Sequence, residues 1–93
     1  MEFEWDELKS GVCFQKRGFD FAHAAQAFLD PDRTIEIDDR RDYGEERYRL
    51  TGNIKGRLYV VVYTLRDGVI RIISAHKANQ REIKRYEDSA HED

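Results

Sequence analysis

The stretch RLYVVVYTLRDGVIRIIS, residues 57–74, decides the fold. It is rich in Val, Ile and Tyr, which favour strand, and Arg66-Asp67-Gly68 interrupts it with a glycine turn of the kind that closes a hairpin. The spacing predicts two antiparallel strands, Arg57–Leu65 and Val69–Ser74. Toward the N-terminus, period-two patterning recurs over Glu46–Gly52 and Thr34–Ile37, with a second glycine turn over Asn53–Gly56, so that four strands make an antiparallel β-meander. Before them the period is helical. Phe21, Ala24, Ala25 and Phe28 form a buried stripe that Asp20 caps and Asp30-Pro31 stops. Asp6 caps an earlier helix, in which Leu8 and Val12 lie one turn apart and Lys16 and Arg17 occupy the last turn before Gly18. Phe3 and Trp5 alternate with Glu2 and Glu4 as a short opening strand. After the hairpin, Asn79 and Glu82 read as a capping box for a last helix with Ile83 and Tyr86 on its apolar side, and Glu87–Asp93 reads as a frayed tail. The expected fold is one α+β domain over residues 1–93, with the helices on one face of the sheet.

Composition narrows the function. At 93 residues, 40% hydrophobic and 38% charged with one proline, the chain is globular, and no run reaches the roughly 18 apolar residues of a membrane span. MEFEWDELK carries four acids and lacks the basic start and apolar centre of a signal peptide; with a single cysteine, Cys13, the expected compartment is a reducing cytoplasm. A net charge of −3 argues against a strongly basic nucleic-acid binder, yet the charge is segregated. Residues 71–86 hold Arg71, Lys77, Arg81, Lys84 and Arg85 against Glu82 alone, while residues 36–46 hold six acids against Arg40 and Arg41.

The basic segment contains RIISAHKANQRE, residues 71–82, where Ser74, His76 and Lys77 are expected at a strand end. Alternation along 57–65 puts Tyr59 and Tyr63 on the face opposite Leu58, Val60 and Val62. A surface away from the helices that joins these tyrosines to Arg71, Arg47 and Arg49 would suit single-stranded RNA, whose bases stack on rings and whose phosphates pair with guanidinium groups. The acidic run Glu36, Asp38, Asp39 and Asp42 lacks the glycine and terminal glutamate of a calcium loop, so it reads as a charged connection, and no cofactor or metal is expected.

Five blocks in order, FEWDELK at 3–9, KRGFDFAHA at 16–24, DYGEERYRLTG at 42–52, LYVVVYT at 58–64 and RIISAHKA at 71–78, make residues 2 to about 87 resemble the BrnT-type toxins. The resemblance implies a RelE-like ribonuclease toxin of a type II toxin-antitoxin system. Its expected partner is a BrnA-like ribbon-helix-helix antitoxin that neutralises it and carries it to operator DNA. This chain reads Lys16-Arg17-Gly18 where the family usually has Lys-His-Gly, Ser74-Ala75-His76 where it usually has Ser-Ala-Arg, and Cys13 in place of a common asparagine.

Metal-free RNA cleavage needs a base, an acid and positive charge around the phosphorane. His76 suits proton transfer, Arg71 and Arg17 suit bidentate phosphate contact, Lys77 supplies a point charge, and Glu46 is the candidate carboxylate; Lys16, Arg47, Tyr63 and Arg81 are the candidate RNA contacts. Each has a plainer reading: His76 as a surface histidine, Arg71 paired with an acid across the sheet, Glu46 as a structural partner of Arg47 or Arg71, and His23 as a structural residue of its helix. The exchanged residues at 17 and 76 lead to a further expectation, that the end of the first helix comes close to the end of the 69–74 strand, so that Arg17 and His76 face one pocket. The alternative function is an antitoxin-binding co-repressor with little catalysis.

Overall fold

The computed structural model describes residues 1–90. Five strands form one sheet in the order β1-β5-β4-β3-β2: β1 (Phe3–Trp5), β2 (Thr34–Ile37), β3 (Tyr48–Ile54), β4 (Arg57–Arg66) and β5 (Val69–Lys77). The meander is antiparallel, and β1 joins β5 in parallel, Phe3 opposite Ile70 and Trp5 opposite Ile72. Lys55-Gly56 and Asp67-Gly68 all have positive φ, the conformation that tight two-residue hairpins demand.

The helices are α1 (Glu7–Arg17), α2 (Phe21–Ala24), continued by a 3-10 turn over Ala25–Leu29, and α3 (Gln80–Ala90). Asp6 accepts from Leu8 N at 2.8 Å to start α1, and Gly18 ends it in the left-handed region. Asp20 accepts from His23 N at 2.9 Å, and Asn79 and Glu82 exchange backbone-to-side-chain bonds at 2.9 Å in the expected capping box. α3 runs through residues 87–90, which the sequence reading had placed in a tail; residues 91–93 lie outside the described residues.

Helices cover both faces of the sheet. α1, α2 and the 3-10 turn lie over the face bearing Leu50, Tyr59, Val61, Tyr63 and Ile72, where Phe28 meets Phe3 and Tyr63, and Phe19 meets Tyr59, edge to face at 4.9–5.0 Å. α3 crosses the other face, fixed by Glu82 to His76, Arg85 to Glu36 at 3.2 Å, and Tyr86 to Asp30 at 2.7 Å. The expected single helical face is therefore corrected. So is the aromatic RNA face: Tyr59 and Tyr63 are each 6% exposed because they are the core beneath the first two helices.

Two further departures matter for the site. β5 runs on to Lys77, since residues 74–77 pair with Val62 to Tyr59, and the ladder slips between Val62 and Tyr63 so that Ile73 is an extra residue, a β-bulge. α1 buries Ser10 and Cys13 rather than Leu8 and Val12, which are exposed. Ser10 Oγ accepts from Phe21 N at 3.0 Å, and Cys13 Sγ and Arg17 Nη1 donate to Ala75 O at 3.7 and 3.0 Å. Beyond the short β1, α1 thus satisfies a carbonyl on the open edge of β5.

In the loop joining β2 to β3, Asp38 is buried, its N–H donates to Arg47 O at 2.7 Å, and its carboxylate takes a two-bond grip from Arg40 at 2.6 and 2.8 Å. That grip lowers the Asp38 pKa to about 2 from 3.8. The folded state therefore favours the ionised form, and the stabilisation is complete above the unfolded pKa and lost as pH falls through 3.8 toward 2. It amounts to at most about 2 kcal/mol. Thermal unfolding of the wild type and Asp38→Asn should show a melting-temperature gap near neutrality that closes by roughly pH 2; a gap independent of pH would refute this account.

Candidate functional site

The candidate residues fall into three groups. At the far end of the sheet, Arg71 on β5 donates to Glu4 on β1 at 2.8 Å, the cross-sheet pairing that was the plainer reading. Glu46 is nearby in the fold, its carbonyl accepting from Thr64 Oγ1 at 2.7 Å and its carboxylate from Tyr48 Oη at 2.9 Å. Thr64 opposes Arg71 and Val60 opposes His76, so Glu46 lies roughly 13 Å along β4 from the His76 row and does not partner it. Arg47 is paired to Glu45 at 3.2 Å and lies 4.1 Å over the Tyr43 ring.

On the α3 face, His76 Nε2 lies 3.1 Å from both oxygens of Glu82, which also accepts Asn79 N. The carboxylate partner of His76 is Glu82, six residues on, rather than Glu46. A cavity beside this pair is lined by Glu36, Arg49, Glu82, Arg85 and Asp88 among others. Three carboxylates against two guanidinium groups make it a poor host for a polyanion. Arg81 is exposed on α3.

The third group lies where α1 and β5 end. The Arg17 bond to Ala75 O ties these ends together, as the sequence suggested, and places Lys16, Arg17 and Lys77 at one corner. Because successive strand residues face opposite ways, Lys77 points to the helix side and His76 to the α3 side. The cavity beside Arg17 is lined by Lys16 and Ser74 but not His76, so the one-pocket expectation for Arg17 and His76 is not met. Lys77 instead lines a cavity with Phe14, Asp20, His23 and Tyr59, in which His23 Nε2 lies 3.2 Å from Tyr59 Oη and the Gln26 amide nitrogen 3.4 Å from His23 Nδ1.

Sequence reasoning passed over Phe14 and read His23 as structural. Phe14 is 57% exposed on a helix otherwise polar on that side, and a lone aromatic beside Lys16-Arg17 was the available signal. Cys13 is buried against Ala75 O, and burial raises its thiol pKa, so it is a packing and hydrogen-bonding group.

No helix among the described residues is long and apolar enough to cross a membrane. No curated protein matches the chain. Residues 5–82 match the family model described as the ribonuclease toxin BrnT of type II toxin-antitoxin systems. That match takes in the α1–β5 corner and the His76–Glu82 pair, and on it the chain belongs to the BrnT family of ribonuclease toxins.

Proposed function

We propose that the chain is a metal-independent endoribonuclease with a RelE-like arrangement that cleaves cellular RNA in the cytoplasm and so slows translation. A BrnA-like ribbon-helix-helix antitoxin neutralises it and links it to operator DNA. The observation that carries the reading is the corner at which the Arg17–Ala75 bond gathers Lys16, Arg17 and Lys77, a concentration of charge on an acidic chain that suits a phosphodiester. Next to it runs an apolar groove between Leu8 and Val12 of α1 and Ile73 of β5, flanked by Lys9, Lys16 and Arg17. This groove suits an antitoxin segment with an apolar stripe and carboxylates, which would cover the corner as it docked.

Expression of the chain alone should arrest growth, and the purified chain should cleave RNA in excess chelator. Co-expression of the antitoxin should restore growth, and Leu8→Glu should keep the arrest in its presence. Harmless expression with no cleavage would favour the co-repressor alternative. Cleavage abolished by chelator and restored by magnesium would overturn the metal-independent chemistry.

A further inference from the structure

The cavity at the α1–β5 corner, about 250 Å³, is lined by groups of three kinds: an exposed ring, Phe14; a cation, Lys77; and a hydrogen-bonded pair, His23 with Tyr59. We propose that this cavity is the RNA-cleaving centre. Phe14 stacks a base beside the scissile phosphate, Lys77 holds that phosphate while Arg17 in the adjoining groove holds the next one, and Tyr59, oriented by His23, donates to a nonbridging oxygen. The assignment rests on the ribonuclease reading.

Tyr59 and Lys77 are direct partners across the β4–β5 ladder, so their side chains rise from the same face of the sheet. The Tyr59 ring is buried under Phe19, at 4.9 Å between centroids, which fixes the hydroxyl at the cavity wall. His23 is set over it by the Asp20 cap and held at both ring nitrogens, by Tyr59 Oη and the Gln26 amide. Among the described residues, the one carboxylate lining the cavity with Lys77 is Asp20, which is engaged in capping α2. The cavity under α3 has the opposite balance. There His76 is engaged by Glu82, which also closes the α3 cap, so that imidazole serves to anchor a helix.

In the reaction the 2′ oxygen bonds to phosphorus as the bond from phosphorus to the 5′ oxygen breaks. The 2′ proton leaves to solvent water, while the Tyr59 O–H, its oxygen held by the Nε2–H of His23, donates to a nonbridging oxygen of the phosphorane. The departing 5′ oxygen takes a proton from the Lys77 ammonium, leaving a 2′,3′-cyclic phosphate and a 5′-hydroxyl. Tyr59 touches the substrate; His23 acts through it.

The test uses the full chain with two probes, a cleavable oligoribonucleotide and its 2′-deoxy analogue, which binds without reacting. Tyr59→Phe and His23→Gln should each slow cleavage about 100-fold. Both should keep the melting temperature and the affinity for the 2′-deoxy probe. Phe14→Ala should weaken binding of the 2′-deoxy probe about tenfold. If Tyr59→Phe and His23→Gln cleave within about threefold of wild type, the assignment is overturned, and loss on His76→Gln in their place would move the chemistry to the α3 face. A wild-type chain that binds the 2′-deoxy probe through Phe14 but cleaves nothing would overturn the ribonuclease reading and the catalytic role of Tyr59, and sustain only the binding cavity. Binding indifferent to Phe14 and Lys77 would remove the cavity as well.

Discussion

Gly52→Ala is expected to cost about 3 kcal/mol of stability, the upper end of what overpacking usually costs. For a chain of this size that lowers the melting temperature by about 12–24 °C. Gly52 lies in β3 beneath the 3-10 turn, and a Cβ there would run into the carbonyl oxygen of Ala27 and lie 3.0 Å from its carbonyl carbon, both backbone atoms that no rotamer change can move. Gly52 is also the ladder partner of Tyr59, so lifting the α2 segment to make room would draw His23 away from the Tyr59 hydroxyl. Thermal unfolding followed by circular dichroism checks this. Gly11→Ala is the contrasting control: it sits within α1 with nothing near its would-be Cβ and should stabilise by about 0.5–1 kcal/mol. Equal melting temperatures for Gly52→Ala and wild type would show that the sheet and the 3-10 turn are not in the close contact described.

Removing the corner cations should have the larger effect on activity. Arg17→Gln with Lys77→Gln is expected to lower RNA cleavage at least about 1,000-fold, if each cation contributes what a preorganised phosphate contact usually does. Each substitution should also reduce the slope of log affinity against log salt by about 1, because one fewer phosphate is neutralised. Arg17 also donates to the edge carbonyl of Ala75, so part of its effect is on stability. Lys77, exposed at the end of β5, has no such burden, and Lys77→Gln alone separates the two contributions. Anisotropy titrations between roughly 50 and 200 mM salt make the measurement. An unchanged slope in the double variant would place the RNA elsewhere on the molecule.

The elements were legible in the sequence because their signals are local. Caps at Asp6, Asp20 and Asn79 and turns at Gly56 and Gly68 need only near neighbours to act, and all are found where the sequence put them. The faces were less legible. Alternation tells which residues share a side of a strand but not which side meets the helices, so Tyr59 and Tyr63 were placed on an open surface that is in fact the core. The Ile73 bulge then shifts the parity of β5: without the extra residue, His76 rather than Lys77 would oppose Tyr59. No composition rule reveals such an insertion in an apolar run. The carboxylate beside His76 was hidden for a similar reason, since Glu82 was already accounted for by its capping box and a second bond to it needs the chain to turn back over the sheet.

α3 is held by contacts unlike those of the rest of the molecule. α2 and the 3-10 turn are bonded to the sheet by a packed aromatic core, whereas α3 is fastened by Glu82 to His76, Arg85 to Glu36 and Tyr86 to Asp30. Each polar fastening of this kind is worth about 1 kcal/mol net, so together they fall short of the roughly 5–15 kcal/mol of a whole domain. The molecule therefore has two clocks. Amide protons of α3 should exchange with solvent through brief local openings, while those of β4 should wait for the entire chain to unfold, so that the Val60 and Val62 side of the sheet is expected to be wetted more often than the core is lost.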